Sequence, residues 1–312
     1  MIPRSKIPIL VGPTGVGKSE IAYQWALKLK AEIISADAFQ VYSGMEVGTA
    51  QPSKEWQKKV PHHLTGVRKP EENWNAVIFA REARAILDQK AKEGKPLLIV
   101  GGAGFYLRAL VSGPPIGEAP SSQTREEVQT KLRELGNEKA HEWLASRDPQ
   151  AAKRIHVNDT MRIGRALEKT FKVEITSPIP KVQDKDFEPL GESHVLFIGL
   201  ERSRENLDRL LQLRTATMWE KGLLDETRNL LAENLPETSP LWGAIGYAEA
   251  AAFIRGDITQ TEAIEKIFRR SRQYAKRQWT WFKHQHQVDW VNLDDFSDIR
   301  SAVDELERHL KG

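Results

Sequence analysis

A glycine-rich segment, GPTGVGKS at residues 12–19, carries the clearest chemical signal in the chain. It fits the P-loop pattern G-x-x-x-x-G-K-[ST] and lies between an apolar run, Ile7–Val11, and an amphipathic segment. Glycines let the backbone curl so that successive N–H groups point at phosphate oxygens, while Lys18 adds a charge and Ser19 offers a hydroxyl to phosphate-bound Mg²⁺. The predicted polyphosphate site therefore comprises Gly12, Pro13, Thr14, Gly15, Val16, Gly17, Lys18 and Ser19.

A single acidic residue, Asp37, follows the second apolar run, Glu32–Ala36. Ligands of open α/β sheets bind at the carboxyl ends of the strands, so this carboxylate is placed for chemistry. It could hold Mg²⁺, take a proton from a substrate nucleophile, or only cap the turn that follows. A P-loop recognises polyphosphate and is compatible with an ATPase, a kinase or a diphosphate-using transferase, so these residues alone leave the reaction open.

The segment Thr261–Lys283 predicts an amphipathic basic helix, with seven lysines and arginines against two glutamates. Tyr274, Trp279 and Trp281 place flat rings among these cations, and a second basic segment lies at residues 153–172. Rings and guanidinium groups suit unpaired bases, so looped or single-stranded RNA is a predicted partner, and a solvated charged surface is the alternative. The candidate RNA-binding residues of the helix are Arg269, Arg270, Lys276 and Arg277.

Five short apolar runs predict the buried parallel strands of an α/β protein. They are Ile7–Val11, Glu32–Ala36, Pro96–Val100, His194–Leu200 and Val288–Leu293. Helical patterns occur at Ser19–Lys30, Ala76–Lys92, Glu205–Glu220, Asp225–Leu231, Thr261–Lys283 and Ser297–Leu310. We expect a P-loop NTPase-like parallel sheet flanked by helices, with a smaller all-helical insertion domain. The predicted domains are a first core part at residues 1–115, the insertion at 116–190 and a second core part at 191–312.

The composition excludes several classes of protein. The chain has 312 residues, of which 40% are apolar, and a mean hydropathy of −0.51, with no run near the roughly 20 apolar residues that a membrane span needs. The absence of cysteine excludes disulfides, thiol nucleophiles and cysteine-containing metal sites. The pair His62-His63 is too small a cluster for a metal centre and is expected to have a structural or loop role. The start of the chain, Met1 to Lys6, shows no apolar signal core and no visible targeting peptide.

Taken together, the motifs resemble those of the tRNA dimethylallyltransferases, also called tRNA isopentenyltransferases, over nearly the whole chain. GPTGVGKS is followed by ISADAFQVYSGMEVGTAQPS, IVGGAGFYLRALVSG, NDTMRIGRALE, WEKGLLDE, AIGYAEA and SRQYAKRQWTWF. The DAFQVYSGMEVGTAQPS stretch and the AKRQWTWF ending are the more specific elements. The resemblance implies transfer of a dimethylallyl group from dimethylallyl diphosphate to the exocyclic amine of the adenosine 3′-adjacent to the anticodon in tRNA, with Mg²⁺ as cofactor.

The resemblance also implies roles for individual residues. Asp37 would be the general base on the adenine amine, and the P-loop would hold diphosphate in place of ATP. Thr14 and Arg214 would join Lys18 and Ser19 in stabilising the departing diphosphate, so the implied catalytic residues are Asp37, Thr14 and Arg214. The implied tRNA contacts are Asp37, Ala38, Phe39, Gln40, Ala103, Arg125, Met161, Arg162, Ile163, Gly164 and Arg165.

Two residues depart from the family pattern, since Ala38 and Ala103 stand where relatives usually have serine and threonine. Hydrogen bonds made through those hydroxyls cannot form in this chain. Three other activities stay open: an adenylate isopentenyltransferase, a P-loop small-molecule kinase or ATPase, and a non-catalytic RNA-binding module. The basic insertion and the AKRQWTWF ending argue against the first. The sequence shows no zinc-finger extension of the eukaryotic kind, so by analogy we expect a bacterial-type cytoplasmic enzyme. As separate expectations, the protein is a monomer and has no membrane attachment.

Overall fold

The computed structural model describes residues 6–113, 122–171, 188–236 and 239–311. The chain divides into two compact units. One unit is built from two stretches, Met1–Pro114 and Phe187–Gly312, and the other is Pro115–Asp186. Within the described ranges, no helix combines the length and the apolar character that crossing a bilayer requires.

The first unit is organised around a parallel sheet of six strands in the described ranges. The strands are β1 (Ile7–Val11), β2 (Glu32–Ala36), β3 (His62–His63), β4 (Leu97–Gly101), β5 (Val195–Glu201) and β6 (Val288–Asn292). Their order across the sheet is β3-β2-β4-β1-β5-β6. The mixed α/β class with an all-parallel sheet is therefore confirmed, and five of the strands occur where the apolar runs predict them.

Helices connect these strands and also form the second unit. Those of the first unit are α1 (Lys18–Leu29), α2 (Lys54–Lys59), α3 (Ala76–Lys92), α4 (Gly104–Ser112), α8 (Arg204–Glu220), α9 (Leu223–Ala232), α10 (Tyr247–Arg255), α11 (Gln260–Gln285) and α12 (Ile299–Lys311). Those of the second unit are α5 (Ser122–Arg147), α6 (Pro149–Arg154) and α7 (Thr160–Thr170). Each predicted helix is present, with ends that differ by a few residues.

Alternate residues of each central strand enter two separate hydrophobic cores, one on each face of the sheet. Ile9, Ile34, Ile99 and Phe197 lie on one face with residues of α3, α4 and α9–α11. Their neighbours along the strands lie on the other face, where α1 and α12 pack: Leu10, Ile33, Leu98 and Ile198. Strands covered on both faces read as continuous apolar runs, which is why the sequence predicts them well.

The second unit is a small helical domain with its own core. Val128 and Leu132 of α5 pack with Ile163 and Leu167 of α7. The long helix α5 changes direction at Gly136, whose φ of 69° lies in the left-handed region that favours glycine. Asp159 begins α7 by accepting a hydrogen bond from the backbone N–H of Arg162. Between residues 122 and 171, the part of this unit that the structure describes, every regular element is a helix, in agreement with the prediction for the insertion.

Candidate functional site

The P-loop follows β1 and is held in shape by backbone conformations that only glycine adopts easily. Gly12, Gly15 and Gly17 have φ angles of 144°, 81° and 106°. A Cβ at Gly12 would lie 2.5 Å from the carbonyl oxygen of Leu200 on β5. Gly17 precedes α1 directly, so the loop ends at the positive end of a helix twelve residues long. The arrangement matches that of a phosphate cradle.

Lys18 is the first residue of α1 and its side chain folds back over the loop. Its Nζ donates to the carbonyl oxygens of Gly12 and Pro13 at 2.9 and 2.8 Å. Burial lowers the pKa of Lys18 to about 7, with the Asp37 carboxylate acting to raise it and the Arg214 guanidinium acting to lower it. The ammonium is therefore only partly charged before an anion arrives, which predicts that anion binding is accompanied by proton uptake.

We expect the affinity for inorganic diphosphate to weaken as pH rises from about 7 to about 9, by up to about tenfold per unit. The charged form of Lys18 binds the anion, and the fraction of free protein in that form falls above its pKa of about 7. Calorimetry in buffers of different ionisation enthalpy would measure the proton uptake. Lys18→Met is the control that corrects for titration of the ligand itself, and an unchanged pH dependence in that variant would contradict the role of Lys18.

Asp37 directly follows β2, and one of its two carboxylate oxygens is used to fix the turn after the strand. Its Oδ1 accepts hydrogen bonds from the backbone N–H groups of Phe39 and Gln40 at 2.9 and 3.2 Å. Its Oδ2 has no hydrogen bond to any residue in the described ranges. The residue therefore does cap the turn, and the same contacts hold the second oxygen in a defined direction.

Arg214 lies on α8 and lines the same cavity as Asp37 and Lys18. Burial lowers the pKa of Arg214, and the nearby Asp37 carboxylate acts to raise it. Its guanidinium has no hydrogen bond or ion pair with any residue that the structure describes. A half-buried cation without a partner carboxylate is available for an anionic ligand.

One cavity of about 900 Å³ brings the predicted catalytic residues together. Its walls include polar groups from the P-loop and the start of α1, from the turn after β2, from α8 and from α11: Thr14, Gly15, Gly17, Lys18, Ser19, Asp37, Gln40, Arg214 and Gln278. Apolar side chains complete it, including Ile33, Trp56, Leu213 and Met218. Two cations, a glycine loop and a carboxylate thus face a space that also has apolar walls, an arrangement suited to a diphosphate ester of an apolar alcohol.

The amide of Gln40 is fully used inside the protein. Its Oε1 accepts from Ser35 Oγ at 2.9 Å, and its Nε2 donates to the carbonyl oxygens of Thr49 and Ala50 at 3.1 and 3.2 Å. These bonds fix the loop after β2, so a nucleotide contact through this amide would have to replace one of them. Ala38 and Phe39 are partly exposed beside it.

Ala103 lies in the glycine-rich turn between β4 and α4. Its N–H donates to the carbonyl oxygen of Ala36 at 3.2 Å, immediately before Asp37. A Cβ at the neighbouring Gly101 would lie 2.0 Å from that same oxygen. The ends of β2 and β4 therefore approach so closely that only glycine fits at position 101, and protein packing alone explains this residue.

The basic helix α11 presents three of its four candidate residues to solvent. Arg269, Lys276 and Arg277 are exposed. Arg270 instead donates to Glu249 Oε1 at 2.5 Å and to the carbonyl oxygen of Gly243 at 3.0 Å. Because Glu249 is buried, we assign Arg270 to the packing of α10 against α11 and define the exposed basic face by the other three residues.

In the second unit, the predicted RNA contacts divide between surface and core. Arg125, Met161, Arg162 and Arg165 are exposed. Ile163 is fully buried, and a Cβ on the buried Gly164 would lie 2.9 Å from Leu132 Cδ1. The run from 161 to 165 therefore offers three side chains to solvent. Lys172, at the end of the basic segment, lies outside the described residues.

Several residues that shape the cavity escape local motif reasoning. Arg202 Nε donates to the carbonyl oxygen of Val16 at 3.1 Å, and its Nη1 donates to Asp294 Oδ1 at 2.9 Å. Glu226 accepts from the N–H groups of Val47 and Gly48 at 2.6 and 3.0 Å. Gln278 is a further residue of this kind, and the sequence does contain a signal for it: a polar amide occupies a position on the buried, otherwise mostly apolar stripe of α11. A buried amide needs partners.

Comparison with known proteins agrees with this geometry. The family model described as IPP transferase matches residues 40–285. The protein named tRNA dimethylallyltransferase 2 of Geotalea uraniireducens is 38% identical over 302 residues, covering 96% of this chain and 97% of that protein. The tRNA dimethylallyltransferase of Staphylococcus epidermidis is 37% identical over 308 residues, covering 97% of this chain and 91% of its own length.

Solved structures of similar fold carry related descriptions. The tRNA delta(2)-isopentenylpyrophosphate transferase from Staphylococcus epidermidis has a TM-score of 0.68 at 36% identity, with 98% of each chain covered. A eukaryotic dimethylallyltransferase acting on tRNA has a TM-score of 0.70 at 24% identity and supports the fold alone. Because the family model spans most of the chain and full-length relatives exceed a third identity, this chain belongs to the IPP transferase family.

Proposed function

We propose that this protein transfers a dimethylallyl group from dimethylallyl diphosphate to the exocyclic amine of an adenosine in tRNA and releases diphosphate. The observation that carries the proposal is that Asp37, Lys18 and Arg214 line one cavity with the P-loop. The relatives reported above are named tRNA dimethylallyltransferase, which supports a dimethylallyl transfer to tRNA. We further propose that the acceptor is the adenosine 3′-adjacent to the anticodon, in the anticodon stem-loop. We also propose that the enzyme works as a cytoplasmic monomer.

In the reaction, the amine nitrogen forms a bond to the allylic carbon as the bond from that carbon to the diphosphate oxygen breaks. The electron pair of the broken bond leaves with diphosphate. An adenine amine is a weak nucleophile because its lone pair is delocalised into the ring, so removal of a proton during attack helps. The free Oδ2 of Asp37 is the atom that accepts this proton, and its Oδ1 stays bonded to the turn.

The departing diphosphate gains charge, and the groups around the P-loop stabilise that charge. Lys18 and Arg214 supply cations, while Thr14 and the loop N–H groups can donate hydrogen bonds. Because these groups are fixed before the substrate binds, little reorganisation is needed during the reaction. The apolar wall around Leu213 and Met218 provides contact surface for the dimethylallyl group.

Ser19 is the residue that would hold a magnesium ion. Its side chain lines the cavity at the start of α1, and it is exposed. The described ranges contain no cluster of three histidine or acidic side chains that could hold a metal ion by themselves. We therefore propose that the ion is bound mainly through the phosphate oxygens of the substrate. Mg²⁺ bound there would neutralise charge on the diphosphate leaving group.

The adenosine must leave its stack to reach a cavity, at a cost of about a few kcal/mol. Contacts elsewhere on the tRNA therefore have to stabilise the complex. We propose that these contacts come from the exposed basic face of α11 and from the exposed side chains of the second unit. The latter are Arg125, Met161, Arg162 and Arg165.

Replacing Arg269 and Lys276 with alanine should weaken tRNA binding and lower the slope of log affinity against log salt concentration by about two, since each cation neutralises about one phosphate. Binding titrations at several salt concentrations would measure the slope. The matched control is Lys6→Ala with Lys92→Ala, two exposed lysines outside α11, one directly before β1 and the other at the end of α3. An equal slope in the test variant and the wild type would show that this face is a solvated surface that does not contact tRNA phosphates.

The function is tested by incubating the purified protein with Mg²⁺, dimethylallyl diphosphate and unmodified tRNA, followed by mass spectrometry of the digested tRNA. We expect one dimethylallyl group on one adenosine. Parallel reactions with AMP as acceptor test the adenylate isopentenyltransferase, and reactions with ATP alone test the kinase or ATPase. Unmodified tRNA together with brisk ATP hydrolysis would overturn the proposal, as would efficient alkylation of AMP alone.

A further inference from the structure

The side chain of Gln278 joins two loops that are far apart in the sequence. Its Oε1 accepts a hydrogen bond from the backbone N–H of Thr14 at 2.7 Å. Its Nε2 donates to the carbonyl oxygen of Gly102 at 3.0 Å. One amide on α11 thus spans from the P-loop after β1 to the glycine-rich turn after β4.

The surroundings leave this amide little freedom. Gln278 is only 6% exposed and stands on the buried stripe of α11 between Ala275 and Phe282. A Cβ on Gly102 would lie 2.0 Å from its Nε2, so glycine is required there as long as the amide keeps this position. A buried amide that satisfies both of its ends rigidifies the elements that it connects.

The bond to Thr14 has a direct bearing on the P-loop. A phosphate cradle presents its N–H groups to the ligand, yet the N–H of Thr14 is already occupied by Gln278. The bond therefore fixes the peptide plane before Thr14, and with it the start of that side chain on the cavity wall. Positions of donors around a leaving group affect rates strongly, since displacement by about 1 Å can cost about 100-fold.

From this geometry we propose that Gln278 is a positioning residue that holds the P-loop in its diphosphate-binding shape by linking Thr14 to Gly102. The kinetic test of this role rests on the proposed transferase function. The hydrogen bond between Thr14 and Gln278 can also be followed by amide hydrogen exchange, which requires no activity. In this role Gln278 acts through Thr14 and not through contact with RNA. Its loss should therefore lower kcat/KM for dimethylallyl diphosphate and leave KM for tRNA unchanged.

The test uses Gln278→Met, which approximately keeps the side-chain volume and removes the hydrogen bonds to Thr14 and Gly102. We expect kcat/KM for dimethylallyl diphosphate to fall by about 10- to 100-fold and KM for tRNA to stay within about twofold. Amide hydrogen exchange by mass spectrometry should show faster exchange in the P-loop peptide. Gln260→Met, at an exposed position of the same helix, is the matched control and should change neither quantity.

A second variant disturbs the hydrogen bond between Gln278 and Gly102 from the side of Gly102. Gly102→Ala should displace the amide and reproduce the kinetic defect, and the double variant Gln278→Met/Gly102→Ala should be no worse than the more damaging single variant. Additive losses would show that the two residues act separately and would overturn the inference. Wild-type P-loop exchange and kinetics in a folded Gln278→Met protein would overturn it too, as would a defect confined to KM for tRNA. Failure of the wild type to alkylate tRNA would count against the proposed function alone.

Discussion

Asp37→Asn should lower the rate constant for tRNA alkylation by about 10²- to 10⁴-fold, the usual contribution of a general base. Asparagine keeps an Oδ1 that can accept from the N–H groups of Phe39 and Gln40, so the turn after β2 is preserved. It removes the negative charge and the basic oxygen at the position of Oδ2. Single-turnover measurement with saturating dimethylallyl diphosphate and tRNA isolates this step from binding.

The affinity of Asp37→Asn for tRNA should stay within about twofold of the wild type, because phosphate contacts dominate such interfaces. Asp37→Ala is the companion variant, since it removes both the base and the turn contacts. If Asp37→Ala has a lower alkylation rate constant than Asp37→Asn, the difference measures the contribution of the turn contacts. Alkylation by Asp37→Asn at the wild-type rate would remove Asp37 from the role of base.

Arg214→Gln should lower the same rate constant by about 10²- to 10³-fold, equivalent to about 2.7–4 kcal/mol for one donor that stabilises a developing anion. Arg214 lines the cavity and has no carboxylate partner in the described part of the chain, so its charge is available to the leaving group. For the same reason its removal breaks no ion pair there, and the thermal stability of the protein should change little.

Arg209→Gln is the matched control for Arg214→Gln. It makes the same change of charge on the same helix, α8, at an exposed position that does not line the cavity. We expect its alkylation rate to stay within about twofold of the wild type, as for most surface substitutions. Equal rates for the two variants would show that Arg214 contributes no more than a distant positive charge.

The sequence predicts the sheet well because buried parallel strands are apolar along their whole length. The strand β1 was expected and found at Ile7–Val11, and β2 at Glu32–Ala36. The strand β3 was not predicted, since it is only two residues long and consists of His62 and His63. Its pairing with Ile33 and Ile34 depends on the sheet around it, a tertiary context that a local pattern does not contain.

For the candidate site, local motifs predict the groups that touch a ligand better than those that hold them. The P-loop residues and Asp37 are adjacent to strand ends, so their convergence follows from the parallel topology. The partner of Thr14 is Gln278, which lies 264 residues further along the chain. The guanidinium of Arg270 looked like part of an RNA surface by spacing, yet it bonds to Glu249 on another helix. Such pairings are set by three-dimensional packing and leave no spacing pattern in the sequence.

The most direct measurement is a structure of the protein with an unreactive analogue of dimethylallyl diphosphate and an unmodified anticodon stem-loop. We predict that the two phosphoryl groups lie in the P-loop beside Lys18 and Arg214, with the adenine amine within hydrogen-bond distance, about 2.6–3.2 Å, of Asp37 Oδ2. A carboxylate directed away from the base would contradict the proposed mechanism. So would a nucleoside triphosphate that occupies the loop in preference to the diphosphate.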